Sequence, residues 1–437
     1  MTITILPKIK NHLNSSLFIN TYLIMIVRMI TTGFGFLFWV LAARTLSTHD
    51  VGIASGIVSA SALLGGLAQV GLGYVLVRRL SSTEQPAGLL NASIMITVGV
   101  GLLLSVGYLI GLPFWSPELS TIRNSLPESA LFVLFVAATA LSLFLNWAFL
   151  ATRRLSFSVA KHAIQAGAAI GLLLILSWFM PTHWAAVIAY LVATLGSALV
   201  ALLLFMPKAQ PGYRPNFTFA FPLNRPVVTY SLVNFVTDQF QRLPDTIFPL
   251  LIIQWFGPEA GAYFFVSWLI GRSVTTWVNA TAESLFSEGA NDPKTLMRDA
   301  LQAAKMATLL SLLLATLLTV AARALLSIYG PEYADNAAAL LGYVAYSGVP
   351  VVLLSIIVSV LRVQDRLIPL LAILSTSVVL GFAACYAGAI WFGLVGIGIG
   401  WLAAQLIVLV GATHWLWSQM AFELAPIRNG FASSHAH

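Results

Sequence analysis

Twelve runs of mostly apolar residues succeed one another along the chain. Each has about 20 or more residues, enough to cross a bilayer as a helix. They lie near residues 19–43, 51–77, 89–112, 128–150, 159–179, 185–206, 226–255, 261–285, 300–327, 336–361, 367–388 and 393–418. Between them stand breaks with loop chemistry, such as "RTLSTHD", "RRLSSTEQPAG", "MPTHW", "FGPEA" and "YGPEY". Only 8% of the residues are charged and 59% are hydrophobic, whereas a soluble domain is roughly a quarter charged. The chain is therefore expected to be an all-α polytopic membrane protein. The runs fill its length so fully that no sizeable soluble domain fits between them.

The basic residues test that count. With the N-terminus inside, twelve spans place sixteen of the 22 lysines and arginines in inner segments, Lys161 among them. Three fall outside (Arg44, Arg123 and Arg323) and three within spans (Arg28, Arg242 and Arg272). Lys and Arg accumulate on the cytoplasmic side, so both termini are expected in the cytoplasm and the protein in the cytoplasmic membrane. A missed span would have scrambled this asymmetry downstream. The net charge of +7 then reflects topology and implies no nucleic-acid partner. The opening "MTITILPKIKNHLNSS" has neither the apolar core nor the cleavage site of a signal peptide.

The longest polar stretch, "PKAQPGYRPNFTFAFPLNR" (207–225), holds four prolines at the chain's midpoint. It divides an N-terminal six-helix lobe (1–207) from a C-terminal one (226–437), with 208–225 as a cytoplasmic linker. The halves look alike. "STHDVGIASGIVS" (47–59) and "GPEAGAYFFVSWL" (257–269) each place an acid two residues before a glycine at the start of a span. "LATRRLSFSV" (150–159) and "LRVQDRLIPL" (361–370) each close a span with a basic hairpin. Matching positions within each half point to a duplication in parallel orientation. Two such bundles enclosing a central cleft make the architecture expected of a transporter.

Ionisable groups in hydrocarbon cost roughly 2.5–3.5 kcal/mol each on insertion scales, yet "LVNFVTDQFQRLPDTIFPLL" (232–251) carries three. At helical spacing Asn234, Asp238, Gln241 or Arg242, and Asp245 share one face. Trp268, Arg272, Thr275, Thr276, Asn279 and Glu283 do so in the eighth span, and Thr21, Arg28, Thr32, Gly35 and Trp39 in the first. Such faces turn toward protein or a wet cavity. Asp238 and Arg242 are also spaced to neutralise one another as an i,i+4 ion pair, and Thr275, Thr276 and Asn279 to bond neighbouring helices. Glu283, near the inner interface, is placed to snorkel to water. Arg28 and Arg272 lie near mid-membrane without a local acid, and a guanidinium there suits phosphate oxygens. Pro244 and Pro249 are expected to kink or interrupt the seventh span, as at transport sites built from broken helices.

Other motifs point away from enzymatic or nucleotide chemistry. "GLVGIGIG" (393–400) follows no nucleotide-binding βα unit, so Gly396-x-x-x-Gly400 reads as a helix-packing surface. No GxxxxGK[ST] sequence occurs, the seven histidines are scattered, and Cys385 is the single cysteine. No disulfide framework, cysteine metal site or cofactor is expected.

The segment 20–81 ("NTYLIMIVRMITTGFGF…VGLGYVLVRRLS") resembles the first two helices of polysaccharide and oligosaccharide flippases. These belong to the superfamily that includes multidrug-and-toxin extruders and lipid II flippases. "AESLFSEGANDPKTL" (282–296) is similar to the same group. The resemblance implies two six-helix lobes in a V and alternating-access export of polyprenyl-diphosphate-linked oligosaccharide. Polysaccharide polymerase and chain-length proteins would be partners, and the lipid bilayer would hold the polyprenyl tail. It matches Arg28 and Arg272 to the family's cavity arginines. On this reading Arg28, Arg272 and Arg242 hold the diphosphate, Asn279 and Trp268 face sugar, and Asp238 and Asp245 couple protons or sodium. A cation-coupled drug extruder of the same fold, and a membrane polymerase or ligase, are the alternatives.

Overall fold

The computed structural model describes residues 16–216, 225–289, 296–364 and 366–433. Twelve long helical segments run through these described residues. They are α1 (Ser16–Thr45), α2 (Thr48–Leu67, continued by Leu72–Arg79), α3 (Pro86–Trp115), α4 (Leu126–Ala151) and α5 (Leu155–Phe179). The helix α6 (His183–Val200) continues through a π-helical turn, Ala201–Phe205, to Ala209. The element Arg225–Gly289 divides at Gly257 into α7 (225–256) and α8 (258–289). Next come α9 (Leu296–Val320), followed by the short helix Ala322–Ser327, and α10 (Pro331–Val363). Leu367–Ser433 divides at Gly393 into α11 (367–392) and α12 (394–433). The order matches the twelve apolar runs, and the protein is an all-α polytopic membrane protein.

Among the described residues eight helices, with α11 and α12 taken as one, are long and apolar enough to cross a membrane by length and composition. Large apolar side chains such as Leu103, Ile110, Trp178, Val320 and Ile368 stand exposed along them, an apolar surface that a soluble monomer does not carry. The segments α1, α7 and α8 are not among the eight, and in α7 the polar stripe interrupts the hydropathy.

Three local features depart from the sequence expectation. The second span breaks after Leu67, where Val70 (φ 39°) and Gly71 (φ 81°) take left-handed dihedrals. A β-branched residue pays for that conformation. At Gly71 the payoff is close packing, since a Cβ there would lie 2.9 Å from the Ser231 carbonyl oxygen on α7. Second, α7 keeps helical dihedrals through Pro244 and Pro249, and the interruption falls at Gly257 (φ 86°, ψ 172°). Third, Lys161 belongs to no loop: it sits in the second turn of α5 with no exposed surface.

The described residues form two compact units. The first comprises residues up to Val266 together with Leu325–Ala334. In it, Leu76, Leu89, Phe144, Leu145, Phe149 and Met206 make one core from α2, α3, α4 and α6. Lipid removes most of the hydrophobic drive between such helices, so close packing and polar ties carry more of the load. Polar ties hold the loop end where α1 meets α2. Arg44 Nε and Nη2 donate to the carbonyls of Ile328 (2.7 Å) and Ser327 (2.8 Å). Asp50 Oδ1 accepts from the His183 backbone N–H at 2.8 Å, tying the start of α2 to the start of α6. The glycine of the first repeated motif has a packing role there, because a Cβ on Gly52 would lie 1.8 Å from the Pro258 carbonyl oxygen.

The second unit comprises Ser267–Ala324 and the residues from Asp335 onward. Val274, Val278, Ala303, Ala345, Val352 and Ile356 form its main core, joining α8, α9 and α10. The glycines of "GLVGIGIG" bring α11 and α12 together: a Cβ on Gly396 would lie 1.9 Å from the Gly388 carbonyl oxygen, and one on Gly400 2.2 Å from that of Ala384. That is helix packing, as their spacing implies.

Candidate functional site

Two cavities of about 330 Å³ each open in the first unit. Gly66, Leu143, Asn146, Gln239 and Arg242 line both, so the two adjoin along one face of α7. Helix geometry explains the face. Residues 238, 242, 245 and 246 stack at intervals of three and four, and Asp238, Arg242, Asp245 and Thr246 all line one cavity or the other. The stripe is rotated from the expected one, with Gln239 on the wall in place of Gln241.

The first cavity is walled by the middle of α1 (Thr31, Gly35 and Phe38), by α2 (Val58, Ser61 and Gly66) and by α4 (Thr139, Ser142 and Asn146). On the remaining sides lie His162 and Gln165 of α5, Tyr190 and Thr194 of α6, and Arg242 and Asp245 of α7. Gln165 Nε2 donates to Thr194 Oγ1 at 2.8 Å, fixing one polar corner. In the second cavity the break in α2 sets Gln69, Gly71, Gly73 and Tyr74 opposite Asp238. The Tyr74 hydroxyl donates to Asp238 Oδ2 at 2.5 Å, and its ring lies 4.8 Å from that of Trp147. Ser158 Oγ donates to Asn146 Oδ1 at 3.0 Å in the wall that divides the cavities.

Arg242 is exposed to this space. Among the described residues no ion pair joins it to Asp238, so the i,i+4 neutralisation permitted by the spacing is not made. Asp238 takes its bond from Tyr74 instead, on a different helix. No group of three or more His, Cys, Asp or Glu side chains gathers to hold a metal ion among the described residues.

Of the residues singled out in the sequence, α7 thus brings Asp238, Arg242 and Asp245 to one pair of cavities. Arg272 and Trp268 belong to the second unit and line neither cavity. There the Arg272 guanidinium lies over the Trp268 ring, 5.6 Å from its centroid, and Trp268 packs edge-on against Trp401 at 5.5 Å. A guanidinium over an indole face is attracted by the negative face of the ring. Thr275 is buried and Thr276 Oγ1 donates to the Arg272 carbonyl at 3.3 Å. The side chains of Arg28, Asn279 and Glu283 lie outside the described residues. Asn146, Gln165, Tyr74 and Gln239 went unremarked in the sequence, although each is a polar residue inside an apolar run, the signal that drew attention to Asp238; His162 was counted only among the scattered histidines.

The chain is similar to known proteins in both sequence and fold. Residues 17–265 match the family described as "Polysaccharide biosynthesis protein", and residues 265–387 match "MatE". No curated protein sequence matches. Among solved structures, an inward-facing multidrug resistance MATE family transporter of the MOP superfamily superposes with a TM-score of 0.70 at 13% identity, covering 92% of this chain and 97% of its own. An outward-facing structure of the same description gives 0.61 at 16% identity, covering 92% and 94%. A MOP superfamily transporter from Pyrococcus furiosus, described as having reversed polarity in its binding pocket, gives 0.64 at 14% identity, also covering 92% and 94%. The first family match alone spans more than half of the residues. With that match over the helices that wall both cavities, the chain belongs to the polysaccharide biosynthesis protein family and has the fold of the MOP superfamily transporters.

Proposed function

We propose that the protein is a flippase. It carries polyprenyl-diphosphate-linked oligosaccharide across the cytoplasmic membrane by alternating access, with both termini cytoplasmic. The observation that carries this reading is Arg242, a guanidinium on the shared wall of two largely apolar cavities with no carboxylate paired to it among the described residues. A fixed cation at membrane depth is costly unless an anion or water meets it. A diphosphate offers the paired oxygens that a guanidinium fork bonds best. Asn146, Gln165 and Gln239 beside it are suited to sugar hydroxyls. Arg272, and Arg28 by its sequence position, are proposed to receive the same headgroup at other stages, with Trp268 and Asn279 toward the glycan. Asp238 and Asp245 are proposed coupling carboxylates for a proton or sodium ion. The lobes 1–207 and 226–437, joined by 208–225, would then be the moving bodies. Polymerase and chain-length proteins of cell-surface polysaccharide assembly would be the partners.

The test is reconstitution of the full chain in liposomes with a fluorescent polyprenyl-diphosphate sugar. Translocation that Arg242→Ala reduces and Arg242→Lys partly keeps supports the reading. An Arg242→Ala protein that flips the probe at the wild-type rate overturns it. A second reading, a cation-coupled drug extruder, draws on the aromatic side of the first cavity, where Phe34, Phe38 and Tyr190 stand near Asp245. Dye efflux abolished by Asp245→Asn, with no polyprenyl-diphosphate transport, would favour it.

A further inference from the structure

The basic hairpin "LATRRLSFSV" (150–159) joins α4 to α5 through Thr152, Arg153 and Arg154. A Schellman motif closes α4: the Arg154 N–H donates to the Phe149 carbonyl at 2.9 Å, and the Arg153 N–H to that of Leu150 at 3.0 Å. The motif turns on one left-handed residue, a place that glycine usually fills. Here Arg153 fills it, with φ 56°. A non-glycine residue held in that conformation points to a use for its side chain.

Leu150 and Leu155, on either side of the turn, both line the second cavity, and Arg153 and Arg154 stand exposed between them. A third cation comes from α2. Tyr74 lines this cavity, and Arg78, one turn further along the same face, sets its guanidinium over the Tyr230 ring, 4.7 Å from the centroid. Leu76, Leu80, Ala148 and Phe149 pack in one core, which holds the end of α2 against the end of α4 and so keeps the three arginines at one end of the unit. Among the described residues no carboxylate pairs with any of them. Tyr230 precedes Arg242 on α7 by about 18 Å of helical rise, and Phe235 and Asp238 line the cavity along the way. Topology asks only for a count of Lys and Arg at this end. Lys208 and Arg214 meet that demand away from the cavities, since no α6 residue beyond Thr194 lines either one.

We propose that Arg78, Arg153 and Arg154 form a loading site at the mouth of the second cavity, which takes the diphosphate of a lipid from the membrane surface before Arg242 receives it. Guanidinium forks bond phosphate oxygens in pairs, and three without acids attract a headgroup carrying several negative charges. A diphosphate is far shorter than the 18 Å or so of α7 between Tyr230 and Arg242, so the mouth is a station of its own. The identity of the guest rests on the flippase reading, which also turns this mouth toward the cytoplasm; the anion site at the mouth does not.

The experiment measures binding of farnesyl diphosphate to the full chain in phosphatidylcholine nanodiscs, in an Arg242→Ala background that leaves the mouth as the station. Binding is expected to persist there, and its absence overturns the proposal. Adding Arg153→Gln with Arg154→Gln is expected to weaken it about 10-fold. Lys208→Gln with Arg214→Gln removes the same charge from the same end and is expected to cost about twofold or less. Equal weakening by both pairs means a diffuse surface field, and weakening by neither means no site; each overturns the proposal. Arg153→Gly guards against misfolding, because glycine takes the left-handed turn freely. Its Tm is expected to hold or rise while binding weakens, and full-strength binding in the folded variant overturns the proposal. Nanodiscs of equal parts phosphatidylcholine and phosphatidylglycerol separate the two sources of phosphate. Farnesyl diphosphate binding is expected to survive in them; its abolition marks a site for anionic phospholipid and overturns the loading role. Wild-type liposomes that move no polyprenyl-diphosphate probe count against the flippase reading, while the binding comparison still decides the mouth.

Discussion

The Tyr74 hydroxyl donates to the Asp238 carboxylate across 2.5 Å, tying the second half of α2 to the middle of α7. Hydrogen bonds to charged groups contribute roughly 1.5–3 kcal/mol, and access of cavity water to this one reduces its net value. Tyr74→Phe is expected to lower stability by about 1 kcal/mol, read as a fall in Tm in detergent. In an Asp238→Asn background the same change is expected to cost less. An equal loss in both backgrounds would mean that the two groups are not energetically coupled.

Arg242 is expected to separate charge from geometry. Losing a charge-assisted bond worth roughly 1.5–3 kcal/mol corresponds to about a 10- to 100-fold drop in translocation for Arg242→Ala. Arg242→Lys keeps the charge and loses the planar fork, so it should fall between. Initial rates in proteoliposomes at matched protein density check both.

Gly52 is expected to tolerate no side chain, because a Cβ would sit 1.8 Å from the Pro258 carbonyl oxygen, a backbone atom. Gly52→Ala should therefore destabilise by about 1–3 kcal/mol through overpacking. Gly33 on α1 has nothing within 4 Å of its would-be Cβ, so Gly33→Ala should leave stability unchanged or slightly raised. Parallel melts of the two variants provide the comparison.

Tyr213 predicts an alkaline signature. It follows α6, is buried in the first unit's core, and its hydroxyl has no partner among the described residues. Burial pushes that phenol up to about 12 from the usual 10.0. A raised folded value favours the neutral form, so its contribution to stability is complete below pH 10 and is lost as pH rises toward 12. Tyr213→Phe removes the orphan hydroxyl and should stabilise by about 1 kcal/mol. It should also flatten the part of the alkaline loss of Tm that this residue causes.

The helices were readable from the chain because a membrane span is a local property. About 20 apolar residues make one, and a glycine or a proline-rich break ends it. The order of all twelve segments and the packing role of Gly396 and Gly400 followed from this alone. The polar stripe of α7 could be read for the same reason, since residues three and four apart share a face whatever surrounds them.

What lies across from that face is a different matter. Spacing permitted an Asp238–Arg242 pair, and only the break at Val70 and Gly71, which sets Tyr74 opposite Asp238, decided against it. Nothing local marks Lys161 as buried, because its burial depends on where Ser142 of α4 falls against α5. Sequence by itself determined which residues are polar and which of them share a helix face. Tertiary structure alone decided which of them meet, because a polar group in lipid satisfies its bonds with whatever neighbouring helix packing brings within about 3 Å.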